Sequence, residues 1–251
     1  MAETVPVWSD RHPEKAALRQ AVWANLKTHR VTHRDPVGHI PHVIGAEQAA
    51  ARLANLPIWQ TASVVKCNPD SPQAPVRLRA LQDGKVLYMA VPRLTEPQCF
   101  VELEGDRLRA QGIALDHAAT MTGALQVGRR VGFGEMAAIA LVVVGCVAVS
   151  PQGDRLGKGA GFADLELAML REAGLIQADT PIVTTVHPRQ IVAGDRLPTQ
   201  PHDWPLDWII TANEARAIRP TRSRPTGLDW AAIQPDQWQT IPILRSLAPE
   251  P

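Results

Sequence analysis

The sequence predicts an α/β protein whose mostly parallel sheet is flanked by helices. Three observations carry this. The most apolar run, MAAIALVVVGCVAVS at residues 136–150, reads as a buried strand, because a strand covered on both faces loses its polar alternation. A glycine-rich loop (151–161) and a helical segment (162–173), ended by Gly174, follow it. Two further strands, 182–186 and 206–211, come next, the first of them rich in β-branched residues. Strand, loop, helix and strand in that order are the mark of a largely parallel sheet.

The remaining elements fit around this unit. Residues 13–30 predict a helix, with Leu18, Val22 and Leu26 on one stripe and Pro13 in the first turn. Residues 31–45 predict a loop, and the alanine-rich 46–56 a helix. Residues 63–67 predict a strand, 68–75 a proline-rich turn, 76–81 a helix ended by Gly84, and 85–91 a strand. Residues 99–103 predict a weaker strand, and 105–135 give no clear pattern. The α/β domain is expected to span 1–219. A Pro/Arg linker opens the segment 220–251, whose tail carries Trp230 and Trp238 and is expected to pack back on the domain.

Composition narrows the function classes. Of 251 residues, 45% are hydrophobic and 20% charged, as in an ordinary globular protein. A net charge of +1 gives no reason to expect a nucleic-acid partner. The apolar run is too short to span a membrane and is interrupted by Gly145. Cys67, Cys99 and Cys146 form no paired framework. With no signal-like start, a cytoplasmic setting is expected. Oligomeric state is not legible.

The strongest local feature is GDRLGKGAGFAD at residues 153–164, between a buried strand and a helix. Alternating glycines at 157, 159 and 161 let backbone N–H groups approach an anion closely. The following helix adds its positive end, and Arg155 and Lys158 add charge. The spacing matches neither a Walker loop nor a dinucleotide fingerprint. A plain strand–helix turn with solvated Arg155 and Lys158 would show the same residues. Lys15 and Arg19, one helical turn apart, repel each other unless an anion lies between them or solvent screens them. In HDWPLD, Asp203 and Asp207 are either hard-cation ligands or turn caps. His187 is either a phosphate contact or a structural histidine.

These residues resemble a known family. RLGKGAGFAD at 155–164 is similar to the signature of 5-formyltetrahydrofolate cyclo-ligases, also called methenyltetrahydrofolate synthetases. KAALR at 15–19, GKVLY with Pro92-Arg93, and QIV, HDWPLD and IIT within 190–211 resemble further elements of that family in the same order. The closest resemblance is to its methenyltetrahydrofolate synthetase domain-containing subgroup. It implies a ribose-phosphate isomerase and CoA-transferase-like fold, with ATP and Mg²⁺ serving a small-molecule folate substrate. By that resemblance Lys15, Arg19, Arg155, Leu156, Gly157, Lys158, Gly159, Ala160, Gly161, Phe162 and Ala163 contact ATP. Arg155 and Lys158 serve catalysis, Lys158, Gly161 and Phe162 border the substrate, and Asp164 and Asp203 hold Mg²⁺.

The departures fall on the substrate side. Phe162 and Ala163 stand where the signature has two tyrosines, which removes a hydroxyl and a ring. Ser71 and Ala74 stand where the family places Glu and Thr. Gly145-Cys146 replaces Pro-Gly, and Leu165 replaces Arg. Lys66, Asp70 and Arg93 are candidates to compensate. Cyclo-ligase action on 5-formyltetrahydrofolate is the expected function. The alternatives are an ATP-dependent enzyme acting on another heterocycle, such as a thiamine-related one, and a non-catalytic nucleotide- or folate-binding protein.

Overall fold

A computed structural model of the chain describes residues 12–248, apart from the side chains of Arg93, Asp195 and Asp236. The outer ends of the two expected segments, 1–11 and 249–251, and any compensating role for the Arg93 side chain lie outside the described residues.

The chain opens with α1 (Pro13–Thr28), α2 (Ala46–Ala54) and α3 (Pro57–Gln60), then β1 (Val64–Cys67), α4 (Ala74–Gln82), β2 (Val86–Ala90) and β3 (Phe100–Glu104). Three short helices follow, α5 (Gly105–Ala110), α6 (Leu115–Ala119) and α7 (Met121–Val127), then β4 (Arg129–Val131). The central unit is β5 (Leu141–Val143), β6 (Ala148–Val149), β7 (Arg155–Leu156), α8 (Phe162–Glu172) and β8 (Ile182–Thr185). The chain then runs through β9 (Trp208–Ile210), β10 (Ala215–Ala217), α9 (Pro235–Thr240) and α10 (Ile243–Leu247).

Eight strands form one sheet in the order β10-β9-β8-β5-β1-β2-β3-β4. The inner pairs β9–β8, β8–β5, β5–β1 and β1–β2 are parallel, and the outer pairs are antiparallel. Side chains alternate between two cores. Val142 and Val144 enter one with Leu167 and Leu170 of α8, while Leu141 and Val143 enter the other with Leu53 of α2 and Leu81 of α4. From β1 the chain crosses one way to β2, and from β5 the other way to β8. The carboxyl ends of β1 and β5 therefore border a switch point, where open α/β sheets place their ligands.

Two expectations need correction. The single strand expected within the apolar run 136–150 is two strands, β5 and β6, separated by a break around Gly145. A Cβ at Gly145 would lie 2.8 Å from Gln73 Oε1 and 3.0 Å from Ile40 Cγ2, so the chain turns where its neighbours pack closely on the backbone. Gln190 Nε2 holds the break open by donating to the carbonyls of Cys146 (2.9 Å) and Val147 (3.2 Å). Likewise the segment 151–161 is not all loop, because it begins by closing an antiparallel β6–β7 hairpin. Leu18, Val22 and Leu26 of α1 pack with Val147, Ala148 and Leu156 of this hairpin. That contact brings Lys15 and Arg19 to the glycine loop.

The tail carries two short helices, α9 and α10. Ile241 and Leu244 are buried in the α8 core. The Pro/Arg stretch before them is tied down. Arg222 donates to Asp154 and the Gln200 carbonyl at 3.0 Å each, and Arg224 donates to the carbonyls of Ala178 and Thr180 at 2.8 Å each.

Candidate functional site

The glycine loop joins β7 to α8 and lines a cavity of ≈ 620 Å³. Gly159 (φ +119°) and Gly161 (φ +71°) adopt backbone conformations that side-chain-bearing residues avoid. A Cβ at Gly159 would also sit 3.5 Å from the Arg19 guanidinium. With these turns, the amides of Gly157, Lys158, Gly159, Ala160 and Gly161 donate to no other described residue. The N-cap of α8 is Gly161, which has no side chain to cap the helix. Amides left unpaired in this way, at the positive end of an eleven-residue helix, have the chemistry to receive an anion.

Three buried cations surround it. Arg19 Nε donates to the Gly157 carbonyl at 2.8 Å and shapes the loop directly. Lys15 Nζ lies 2.6 Å from Asp203 Oδ2. Arg155 is only 3% exposed, pairs through Nη2 with Asp164, and leaves Nε and Nη1 without a hydrogen-bond partner. Burial opposes its charge, but Asp164 outweighs burial and holds the guanidinium above its usual pKa. A permanently charged fork with two unsatisfied donors is suited to a phosphate or carboxylate group.

The carboxylates are placed from opposite sides. Asp164, in the first turn of α8, accepts from Arg155 and from the Trp204 amide at 3.0 Å. Asp203 accepts from Lys15 and from the Gln200 amide at 2.6 Å. Both line the cavity. Asp207, the other acid of HDWPLD, instead accepts from the Ile182 amide at 2.7 Å and pairs with Arg224, so it is structural. His187 caps a short turn by accepting from the Arg189 amide at 3.1 Å. Among the described residues no group of three or more His, Cys, Asp or Glu is placed to hold a metal ion.

Most of the expected site residues gather here. Lys15, Arg19, Arg155, Leu156, Gly157, Gly159, Ala160, Gly161, Asp164 and Asp203 all line the cavity. Lys158, Phe162 and Ala163 do not. Phe162 packs on the α8 core. Lys158 turns away and reaches Asp70 Oδ1 at 2.8 Å, bridging the glycine loop to the turn after β1. On that side Ser71 Oγ accepts from Arg34, and Ala74 offers no polar atom.

Sequence reasoning missed the groups that hold this turn. Arg77 is wholly buried and donates to the carbonyls of Asn68 and Asp70, and to Ala119 at 2.7 Å. Burial depresses its pKa. Lys66 pairs with Glu166 in the core and donates to Asn68 Oδ1 at 2.8 Å. Burial pushes the Glu166 carboxyl upward against the pull of Lys66. Lys66, a candidate to replace a lost folate contact, is thus committed to Glu166 and Asn68. Nothing marks such pairs in a sequence except a charged residue inside an apolar run. Cys146 lies beside the loop, but burial pushes its thiol to about 11, which disqualifies it as a nucleophile.

The fold and site define an open α/β protein with a glycine loop and three buried cations at one cavity near the switch point. A sequence model of the 5-formyltetrahydrofolate cyclo-ligase family matches residues 11–212, and the chain belongs to that family. It is 35% identical over 235 residues to the methenyltetrahydrofolate synthase domain-containing protein of Mus musculus, covering 93% of this chain and 63% of that one. The Homo sapiens protein of the same description is 34% identical, covering 93% and 61%. The chain thus spans under two thirds of these relatives. In fold it is similar to the Aquifex aeolicus 5,10-methenyltetrahydrofolate synthetase, with a TM-score of 0.51, 20% identity, and coverage of 84% of this chain and 96% of that one. No described helix is long and apolar enough to cross a membrane.

Proposed function

We propose that the chain is an ATP- and Mg²⁺-dependent cyclo-ligase that converts 5-formyltetrahydrofolate to 5,10-methenyltetrahydrofolate in the cytoplasm. The observation that carries this is the glycine loop, whose amides donate to no described residue and whose Gly157, Gly159, Ala160 and Gly161 line the same cavity as Lys15, Arg19 and Arg155 with its two unsatisfied donors. Three free, buried cysteines agree with a reducing compartment.

In this reaction the formyl oxygen takes the γ-phosphoryl group. The second folate nitrogen then attacks the activated carbon and loses its proton, and phosphate leaves. Phosphoryl transfer asks mainly for positioning and for positive charge. The loop amides and Arg155 would grip the phosphate oxygens, with Lys15 and Arg19 beside them. Mg²⁺ commonly takes one or two carboxylates together with phosphate oxygens and water. Asp164 and Asp203, hard oxygen donors on one cavity, fit that need and would hold it. The ion would supply charge neutralisation. Lys158, turned toward Asp70, would face the folate side.

One observation favours a second reading, in which the same nucleotide half activates another heterocycle. By the family resemblance, the positions that would grip folate are Ser71, here engaged by Arg34, and the apolar Ala74. A site that loses a matched polar contact can lose orders of magnitude in specificity.

The test is to incubate purified protein with ATP, Mg²⁺ and 5-formyltetrahydrofolate. Methenyl absorbance and free phosphate should rise in equal amounts. ATP binding without product would move the assignment to another heterocycle, and absence of ATP binding would end both readings.

A further inference from the structure

The cavity has a wall that the family match does not reach. That match ends at residue 212, whereas residues of the 225–237 segment line the cavity. This wall is fixed rather than passing by. Arg222 and Arg224 anchor the chain before it, the Leu228 amide donates to Glu172 Oε2 at 3.2 Å, and Ile241 and Leu244 bury the chain after it.

Its chemistry differs from the phosphate end. The cavity face of α8 runs Gly161, Asp164, Leu165, Ala168, one stripe of the helix. Ala168 lies about 10 Å along the axis from Gly161. The tail contributes Leu228, Ala232 and Ile233, with the polar Thr226, Asp229, Gln234 and Gln237 beside them. Gln237 Oε1 accepts from the Gln234 amide at 3.0 Å, which leaves its NH₂ as a donor with no described partner. Apolar side chains flanked by amide donors, a hydroxyl and the Asp229 carboxylate suit a flat heterocycle carrying both edge acceptors and edge donors, and they suit a polyphosphate poorly.

We infer that the C-terminal tail forms the nucleobase pocket of this site, so that the chain selects a nucleoside triphosphate over bare triphosphate. The inference rests on the nucleotide reading above and adds the residues that read the base: Leu165 and Ala168 from α8, and Leu228, Ala232, Ile233 and Gln237 from the tail. The tail is then part of the ligand site rather than an appendage.

Calorimetric titration of the full chain with ATP and with inorganic tripolyphosphate, both with Mg²⁺, tests this. Wild type should bind ATP at least about tenfold more tightly than tripolyphosphate. Ala232→Trp, which fills the base end, should remove that advantage and leave tripolyphosphate affinity within about twofold. Ile233→Ala, a milder change, should weaken ATP about fivefold with the same tripolyphosphate affinity, and it decides the matter if Ala232→Trp does not fold. Equal wild-type affinity for the two ligands overturns the inference while sparing the phosphate cradle. Unchanged ATP affinity in a folded Ala232→Trp, or in Ile233→Ala should the first not fold, also overturns it. Binding of neither ligand by wild type ends the nucleotide reading and this inference with it.

Discussion

Lys15 Nζ and Asp203 Oδ2 meet at 2.6 Å although 188 residues separate them in the chain, and both residues are buried, at 8% and 5% exposure. This pair joins α1 to the segment before β9 across the mouth of the glycine loop. It is structural and, in the proposed reaction, functional as well. A double substitution separates the two roles. Lys15→Ala alone strands a buried carboxylate and should cost about 3–5 kcal/mol in urea unfolding. Lys15→Met with Asp203→Leu should restore most of that stability, and ATP binding should stay lost. A single variant within about 1 kcal/mol of wild type would contradict the buried-pair account.

Arg155 should be irreplaceable by lysine. Lysine keeps a charge opposite Asp164 but has no planar fork to present at Nε and Nη1. Each charged hydrogen bond is worth about 1.5–3 kcal/mol, so Arg155→Lys should weaken ATP binding by at least about tenfold in calorimetry. An unchanged dissociation constant would remove Arg155 from the phosphate contacts.

Lys158 should behave differently from its neighbours in the loop. Its pair with Asp70 is partly exposed, with the lysine side chain at 43%, so Lys158→Ala should change stability by less than about 1 kcal/mol. ATP affinity should stay close to wild type, because the side chain points out of the cavity. The KM for the folate substrate should rise instead. A large loss of ATP affinity would show that the ammonium swings into the cavity on binding.

Gln190 should matter for stability although it does not line the cavity. Gln190→Leu would leave the carbonyls of Cys146 and Val147 buried without donors. A loss of about 1–3 kcal/mol is expected by chemical denaturation. An undiminished midpoint would mean that other groups hold the break at Gly145.

The legible parts of this protein are those that local pattern determines. The stripe Leu18, Val22, Leu26, the β-branched run at 182–185 and the glycine loop all carry their periods or spacings within a dozen residues. The family resemblance added Asp164 and Asp203, which spacing alone could not join. The break at Gly145 was not legible, because it depends on Gln73, Ile40 and Gln190 arriving from elsewhere. Residues 105–127 form three helices of five to seven residues, too short for a helical period to stand out. Lys66 with Glu166, Lys158 with Asp70, and the tail wall are pairings across the fold. Sequence shows each half and gives no sign of the partner.

The central claim is that the loop amides are free to receive phosphate. Titration of a nitrogen-labelled sample with ATP and Mg²⁺, followed by amide resonances, tests it most directly. The account predicts that the amides of Gly157, Gly159 and Gly161 shift the most, in step with the Arg155 Nε–H. Saturating ATP that leaves these resonances in place while others move would contradict it.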